Sequence, residues 1–185
     1  KLGFADLATV TWPEDLATQL AQVQKLALDL DALLVQPPSK AAVAAVALQA
    51  DKMLASADSA TKMFEKLSST STARLVGTAG RQRMLSQRLA KNYSLVAAGL
   101  STAKMADQMI SDAVEFKQAL AILSAAPVTS PSIRSELALG ESQWVFFEAA
   151  LARQPDERGQ LAVATTSERL LEVMEKLTVQ YEMAL

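Results

Sequence analysis

The sequence has neither cysteine nor histidine among its 185 residues. Without cysteine there can be no disulfide, no thiolate metal ligand and no cysteine nucleophile. Without histidine the chain also lacks the usual general base near neutral pH and the commonest protein metal ligand. We therefore expect no catalytic residue, no metal site and no cofactor.

Glycine and proline are scarce, at six each, and aromatic residues make up only 5% of the chain. Half of the residues are apolar, so aliphatic side chains must fill the core. The net charge of −2 is too small to indicate a nucleic-acid partner. No apolar run approaches the roughly 18 residues of a membrane span, and no signal peptide is recognisable. Because the first residue is Lys1, we expect a processed or trimmed chain.

Apolar residues recur every three or four positions along about six segments, and no segment alternates as a strand does. Thr11 with Glu14 predicts a capping box for the first long helix, and Ser39 predicts the next N-cap. Gly99 predicts a C-cap, followed by an N-cap at Ser101 or Thr102. Because short loops make neighbouring helices antiparallel, the sequence predicts an all-α antiparallel helical bundle of about six helices.

Two short stretches of the sequence recur. Pro38-Ser39 and Pro131-Ser132 each precede a predicted helix, and residues 64–68 match residues 174–178. Such recurrence at a long period is typical of a duplicated helical unit. We therefore interpret the chain as two tandem four-helix-type units.

The predicted units are an incomplete first repeat at 1–72 and a second repeat at 73–185. Residues 1–7 line up with residues 94–100, where the first helix of the second repeat ends. The corresponding helix of the first repeat is therefore expected upstream, in a segment that is missing from this sequence.

Basic residues are concentrated in one stretch. From Lys66 to Ala106 there are seven lysines and arginines and no Asp or Glu, although the chain as a whole is acidic. A local field of one sign attracts anions. We expect the arginines of this stretch to lack counter-ions and so to have room for a foreign anion.

Within that stretch, Gly80, Arg83, Met84 and Gln87 are the candidate ligand-binding residues. At about 100° per residue, the glycine, the arginine and the glutamine share one helix face. Glycine costs a helix up to about 1 kcal/mol relative to alanine, but it allows a ligand or helix to approach the backbone. The guanidinium one turn later can fork two donors onto a planar oxyanion, and the amide adds a neutral donor.

Arg81, Ser86 and Arg88 are candidates for supporting that site or for pairing with a second helix. Gln82 and Ser86 also place polar groups in the middle of an otherwise apolar face. The simpler alternatives are that the arginines are solvated, that the glycine marks tight packing, and that the polar side chains bond to neighbouring helices.

Residues 79–88, AGRQRMLSQR, closely resemble the signature box of the PilJ/NarX-type sensor domain. That family supplies extracytoplasmic input domains to bacterial chemoreceptors and to nitrate/nitrite sensor kinases. The resemblance implies a periplasmic or extracytoplasmic four-helix bundle with the box on its first helix. In the nitrate-binding members of the family, two boxes meet across a two-fold axis and hold one anion with the box arginine and nearby backbone. For this chain the resemblance implies a small-anion site, for nitrate or nitrite, at Arg83 and Gly80. The second box would come from a homodimer partner or from the missing upstream segment.

The leading hypothesis is a sensing module that binds a small oxyanion and signals by helix repacking. The alternative is a structural or protein-interaction bundle whose box only pairs helices and binds no small molecule. Arg83 distinguishes the two, because carboxylates of its own bundle would lock it in the structural case. A hydrolase built on Ser86 is the third option, but it would need a base, and the sequence offers only distant carboxylates and lysines.

Overall fold

The computed structural model describes residues 2–68, 71–127 and 130–184, and this part of the chain contains helices and no strand. The all-α bundle predicted from the sequence is therefore confirmed. The described residues form one helix more than the sequence predicted. The additional helix, α1, was not predicted because it has only six residues, too few for a helical periodicity to be recognised. The helices are α1 (Leu2–Leu7), α2 (Glu14–Leu34), α3 (Lys40–Ser68), α4 (Ser71–Ala97), α5 (Ala103–Ser124), α6 (Pro131–Leu151) and α7 (Glu157–Glu182).

Three of the four predicted helix-end signals are confirmed. The Ser39 hydroxyl accepts from the Ala42 amide at 3.0 Å, and Thr102 caps α5 by accepting from Met105. Gly99 follows α4 with a φ of 68°, the left-handed conformation that glycine adopts readily. The capping box at Thr11 was wrong: α2 begins two residues after Trp12, with Pro13 in extended conformation at the N-cap and no side-chain cap.

The chain divides into two compact units, Lys1–Ser69 and Thr70–Leu185. The first consists of α1 to α3, and its core is small. Leu16, Val23 and Ala60 are its buried apolar residues. The Trp12 ring packs edge-on against Phe64 with the ring centroids 5.0 Å apart.

The second unit is a ring of four helices. Helix α4 packs against α5 and most extensively against α7, and α6 packs against both α5 and α7. Because each loop between them is short, consecutive helices run antiparallel.

The core of this second unit is formed by stripes of buried apolar residues, one stripe on each helix. Within a stripe, successive residues are alternately four and three positions apart. On α7, for example, the stripe contains Leu170, Met174, Leu177 and Tyr181, all with no exposed surface. Phe116 stacks on Trp144 across the core with ring centroids 4.3 Å apart. This large core positions α4, the helix that carries the box.

No helix within the described residues is both long enough and apolar enough to cross a membrane.

Candidate functional site

The box residues lie in the middle of α4 and project in three directions. One face enters the core, a second faces α5, and a third faces α7. Gln82 and Ser86 lie on the core face and have no exposed surface. The Ser86 hydroxyl donates to the Arg83 carbonyl at 2.9 Å, so it stays within its own helix. Both Gln82 amide atoms are buried and have no hydrogen-bond partner within the described residues.

Two of the box arginines, Arg81 and Arg88, face α5. Arg88 donates from Nε and Nη2 to the two carboxylate oxygens of Asp112, at 2.7 and 2.6 Å. The Asp112 side chain is 1% exposed, so this two-point contact is buried. Arg81 pairs with Glu115 one turn along α5, where both side chains are about one-third exposed.

Arg83 faces α7. Its Nη2 lies 2.6 Å from Oε2 of Glu175, and the two side chains are 40% and 49% exposed. The Arg83 Nε is buried and has no hydrogen-bond partner in the described part of the chain. The guanidinium therefore has one half-exposed counter-ion and a buried Nε–H group without a hydrogen-bond partner.

The expectation that this basic stretch lacks counter-ions was wrong. Each of the three box arginines has a carboxylate partner in the same four-helix unit. The physical reason is that bundle packing brings α5 and α7 against α4, so their acids reach a helix that has none of its own.

The remaining candidate residues have varied surroundings. A Cβ built on Gly80 would meet no atom within 4 Å, so tight packing within the described structure does not explain this glycine. Gln87 donates to the Ser167 backbone carbonyl on α7 at 3.4 Å, a weak hydrogen bond. Met84 packs, partly buried, against the hydrophobic core. Of the predicted ligand-binding set, Gly80 and Arg83 have the most open surroundings.

Sequence reasoning missed the acidic partners Asp112, Glu115 and Glu175. Asp112 did carry a usable signal, because it occupies a core position between Met109 and Phe116 in the apolar stripe of α5. A charge at such a position needs a partner. The two glutamates have no comparable signal, since their pairing depends on how far each helix is displaced along its neighbour.

Tyr93, at the end of the core face of α4, ties that helix to the loop before α7. Its hydroxyl donates to the Gln154 and Arg153 carbonyls, at 2.8 and 3.1 Å. Burial raises the pKa of Tyr93 above its usual value, with a smaller contribution from the negative charge of Asp156, which the positive charge of Arg153 opposes. The phenol is therefore held protonated, as a hydrogen-bond donor.

The described residues contain no group of three or more acidic side chains able to hold a metal ion. Their polar chemistry is concentrated on one helix of a four-helix unit, where arginines meet acids of neighbouring helices.

A comparison of the sequence with protein-family models identifies the family of the chain. The chain belongs to the PilJ family, described as the type IV pili methyl-accepting chemotaxis transducer N-terminal domain, whose model matches residues 67–170. The match covers more than half of the chain, including α4, α5 and α6 entirely. It confirms the family resemblance predicted from the box, and the family consists of transducer sensor modules and is not an enzyme family. No curated protein and no solved structure matches the chain.

Proposed function

We propose that this chain is an extracytoplasmic sensing module that binds a small oxyanion, nitrate or nitrite being the leading candidates, at Arg83. Membership of a family of chemotaxis transducers supports the sensing role and the extracytoplasmic location. The anion would take the place of Glu175 on the guanidinium. Gly80, one turn earlier on α4, leaves the adjacent backbone open to approach.

The observation that carries this proposal is the exposure of the ion pair between Arg83 and Glu175. Exposed ion pairs contribute only about 0–1 kcal/mol, so an anion that reaches the guanidinium displaces the carboxylate at little cost. By contrast, Asp112, the partner of Arg88, is buried. Displacing it with an anion would cost much more free energy, because it would leave a buried carboxylate without its counter-charge. Exposure therefore excludes Arg88 as the anion site. We prefer Arg83 to Arg81, whose ion pair is also about one-third exposed, because Arg83 shares a helix face with Gly80.

Binding would signal through the contact between α4 and α7. The ion pair joins these two helices directly, and they form the most extensive helix contact of the second unit. A ligand shifts a conformational equilibrium only by its difference in affinity for the two states. An anion that competes with Glu175 favours any state in which the two helices have separated at this level.

A second box helix, from a homodimer partner or an upstream segment, would complete the site. The open surface at Gly80 leaves room for such a helix. Sedimentation velocity with and without nitrate tests the homodimer version. It predicts a shift towards dimer with nitrate, and an unchanged monomer would exclude that version.

The competing function is a structural bundle that binds nothing small. It is favoured by the observation that every box arginine has an acidic partner in its own unit. On this view the box is a set of ion pairs that fixes α4 between α5 and α7.

Calorimetric titration of nitrate and nitrite at low ionic strength separates the two functions. We expect saturable binding to the wild type, none to Arg83→Ala, and wild-type binding to the matched control Arg81→Ala. The control removes the same side chain from the same helix, but from the α5 side. Absence of binding to the wild type, or equal loss in both variants, would support the structural function instead.

A further inference from the structure

Gln82 is the least compatible residue of α4 with its surroundings. It has no exposed surface, and neither its Nε2 nor its Oε1 has a hydrogen-bond partner among the described residues. A buried amide that makes no hydrogen bond loses its contacts with water and gains nothing in return. The closed packing of α4 is therefore destabilised at the level of this side chain.

The two halves of α4 are anchored unequally by apolar contacts. In the N-terminal half, which ends before Leu85, Ala79 is the fully buried apolar residue, and Leu75 and Val76 are only partly buried. In the C-terminal half, Leu85 and Leu89 are at most 1% exposed. The N-terminal half of the helix therefore buries much less apolar surface than the C-terminal half.

The polar contacts show the same asymmetry. In the C-terminal half, Arg88 is held by the buried Asp112, and Tyr93 donates to two backbone carbonyls. In the N-terminal half, Arg81 and Arg83 rely on pairs in which every side chain is at least one-third exposed. Solvent and salt screen those pairs strongly.

We propose that α4 consists of a fixed C-terminal half and a movable N-terminal half, with Gln82 setting how often the N-terminal half opens. The contact between Arg88 and Asp112 is the pivot. When the N-terminal half opens, water reaches the Gln82 amide and forms the hydrogen bonds that the closed packing does not provide. The same opening separates Arg83 from Glu175. The link to sensing rests on the function proposed above, because an anion bound at Arg83 would then favour the open form.

Amide hydrogen exchange of the whole chain, measured without any added anion, tests this device. In the wild type we expect amides at 75–84 to exchange at least about tenfold faster than amides at 88–95, because local opening exposes only the first set. Gln82→Met keeps an unbranched side chain of similar length and removes both unpaired atoms. It should slow exchange at 75–84 by about tenfold or more and leave 88–95 unchanged.

Gln118→Met is the matched control, since it makes the same change at an exposed position of α5. This variant should leave the exchange rates of the amides at 75–84 and at 88–95 unchanged. Gln82→Leu serves as the second variant if the methionine variant does not fold. Uniform exchange along α4, or equal or faster exchange in the Gln82 variants, would overturn the proposal, because the amide would then have a stabilising partner. This result is independent of the nitrate titration, so either proposal can fail alone.

Discussion

Arg88 on α4 and Asp112 on α5 form the most buried ion pair of the box, with two nitrogen–oxygen contacts of 2.7 and 2.6 Å. Gln108, one turn earlier on α5, also lies within 3.5 Å of the carboxylate. The two-point geometry aligns the guanidinium with the carboxylate and fixes the axial position of α4 on α5.

Breaking this pair from one side should be costly. Asp112→Asn leaves Arg88 largely buried without its counter-charge, and we expect a loss of about 3–5 kcal/mol in the free energy of unfolding. Urea unfolding followed by circular dichroism measures the loss. The double variant Arg88→Met with Asp112→Leu should recover most of it, because an apolar pair carries no desolvation penalty.

Glu115→Gln is the control for that experiment. Its pair with Arg81 is partly exposed, so its removal should cost no more than about 1 kcal/mol. If Asp112→Asn proved no more destabilising than Glu115→Gln, the buried pair would not anchor the helix as described.

Two glycines should respond in opposite directions to alanine. A Cβ at Gly159 would overlap the Gln154 carbonyl and the Tyr93 hydroxyl, so Gly159→Ala should cost about 1–3 kcal/mol through backbone displacement. Gly80 has open space and lies within a helix, so Gly80→Ala should stabilise by up to about 1 kcal/mol. Melting temperatures would fall for the first and rise for the second. A fall in both would place an undetected neighbour against Gly80.

Strongly alkaline solution should destabilise the second unit. Burial raises the pKa of Tyr181 above its ordinary value of 10.0, and the pKa of Tyr93 is raised as well. The folded protein therefore holds both protons more tightly than the unfolded chain. This contribution is complete below pH 10 and declines at higher pH, because the unfolded state then binds fewer protons.

Urea unfolding at pH 9 and about pH 11 measures that decline. Tyr181→Phe cannot ionise at this position, so the variant should lose less stability across the interval than the wild type does. If the wild type and Tyr181→Phe lost equal free energy of unfolding between the two pH values, ionisation of groups other than Tyr181 would cause the destabilisation at high pH.

Periodicity predicted the six long helices, because each buries one stripe and the stripe repeats at the helical period. The carboxylates that meet the box were not predictable in the same way. Glu175 lies more than 90 residues from Arg83 in sequence. Their pairing depends on which helices are adjacent and on how far each helix is displaced along its neighbour. The periodicity of apolar residues within one helix gives no information on either.

The duplication of the sequence stays a prediction. Pro38-Ser39 precedes α3 and Pro131-Ser132 begins α6, whereas residues 64–68 end α3 and residues 174–178 lie within α7. The two matches therefore relate α3 to two different helices of the second unit. A duplication would require that one long helix of the first unit correspond to parts of both.

The central claim is that Arg83 can exchange Glu175 for a small anion. The most direct measurement is the nitrate affinity of Glu175→Gln compared with the wild type, by calorimetry at low ionic strength. Removing the competing carboxylate should tighten binding several-fold, up to about fivefold for a contribution of about 1 kcal/mol. Unchanged or weaker binding in Glu175→Gln would contradict the claim, as would the absence of nitrate binding in both proteins.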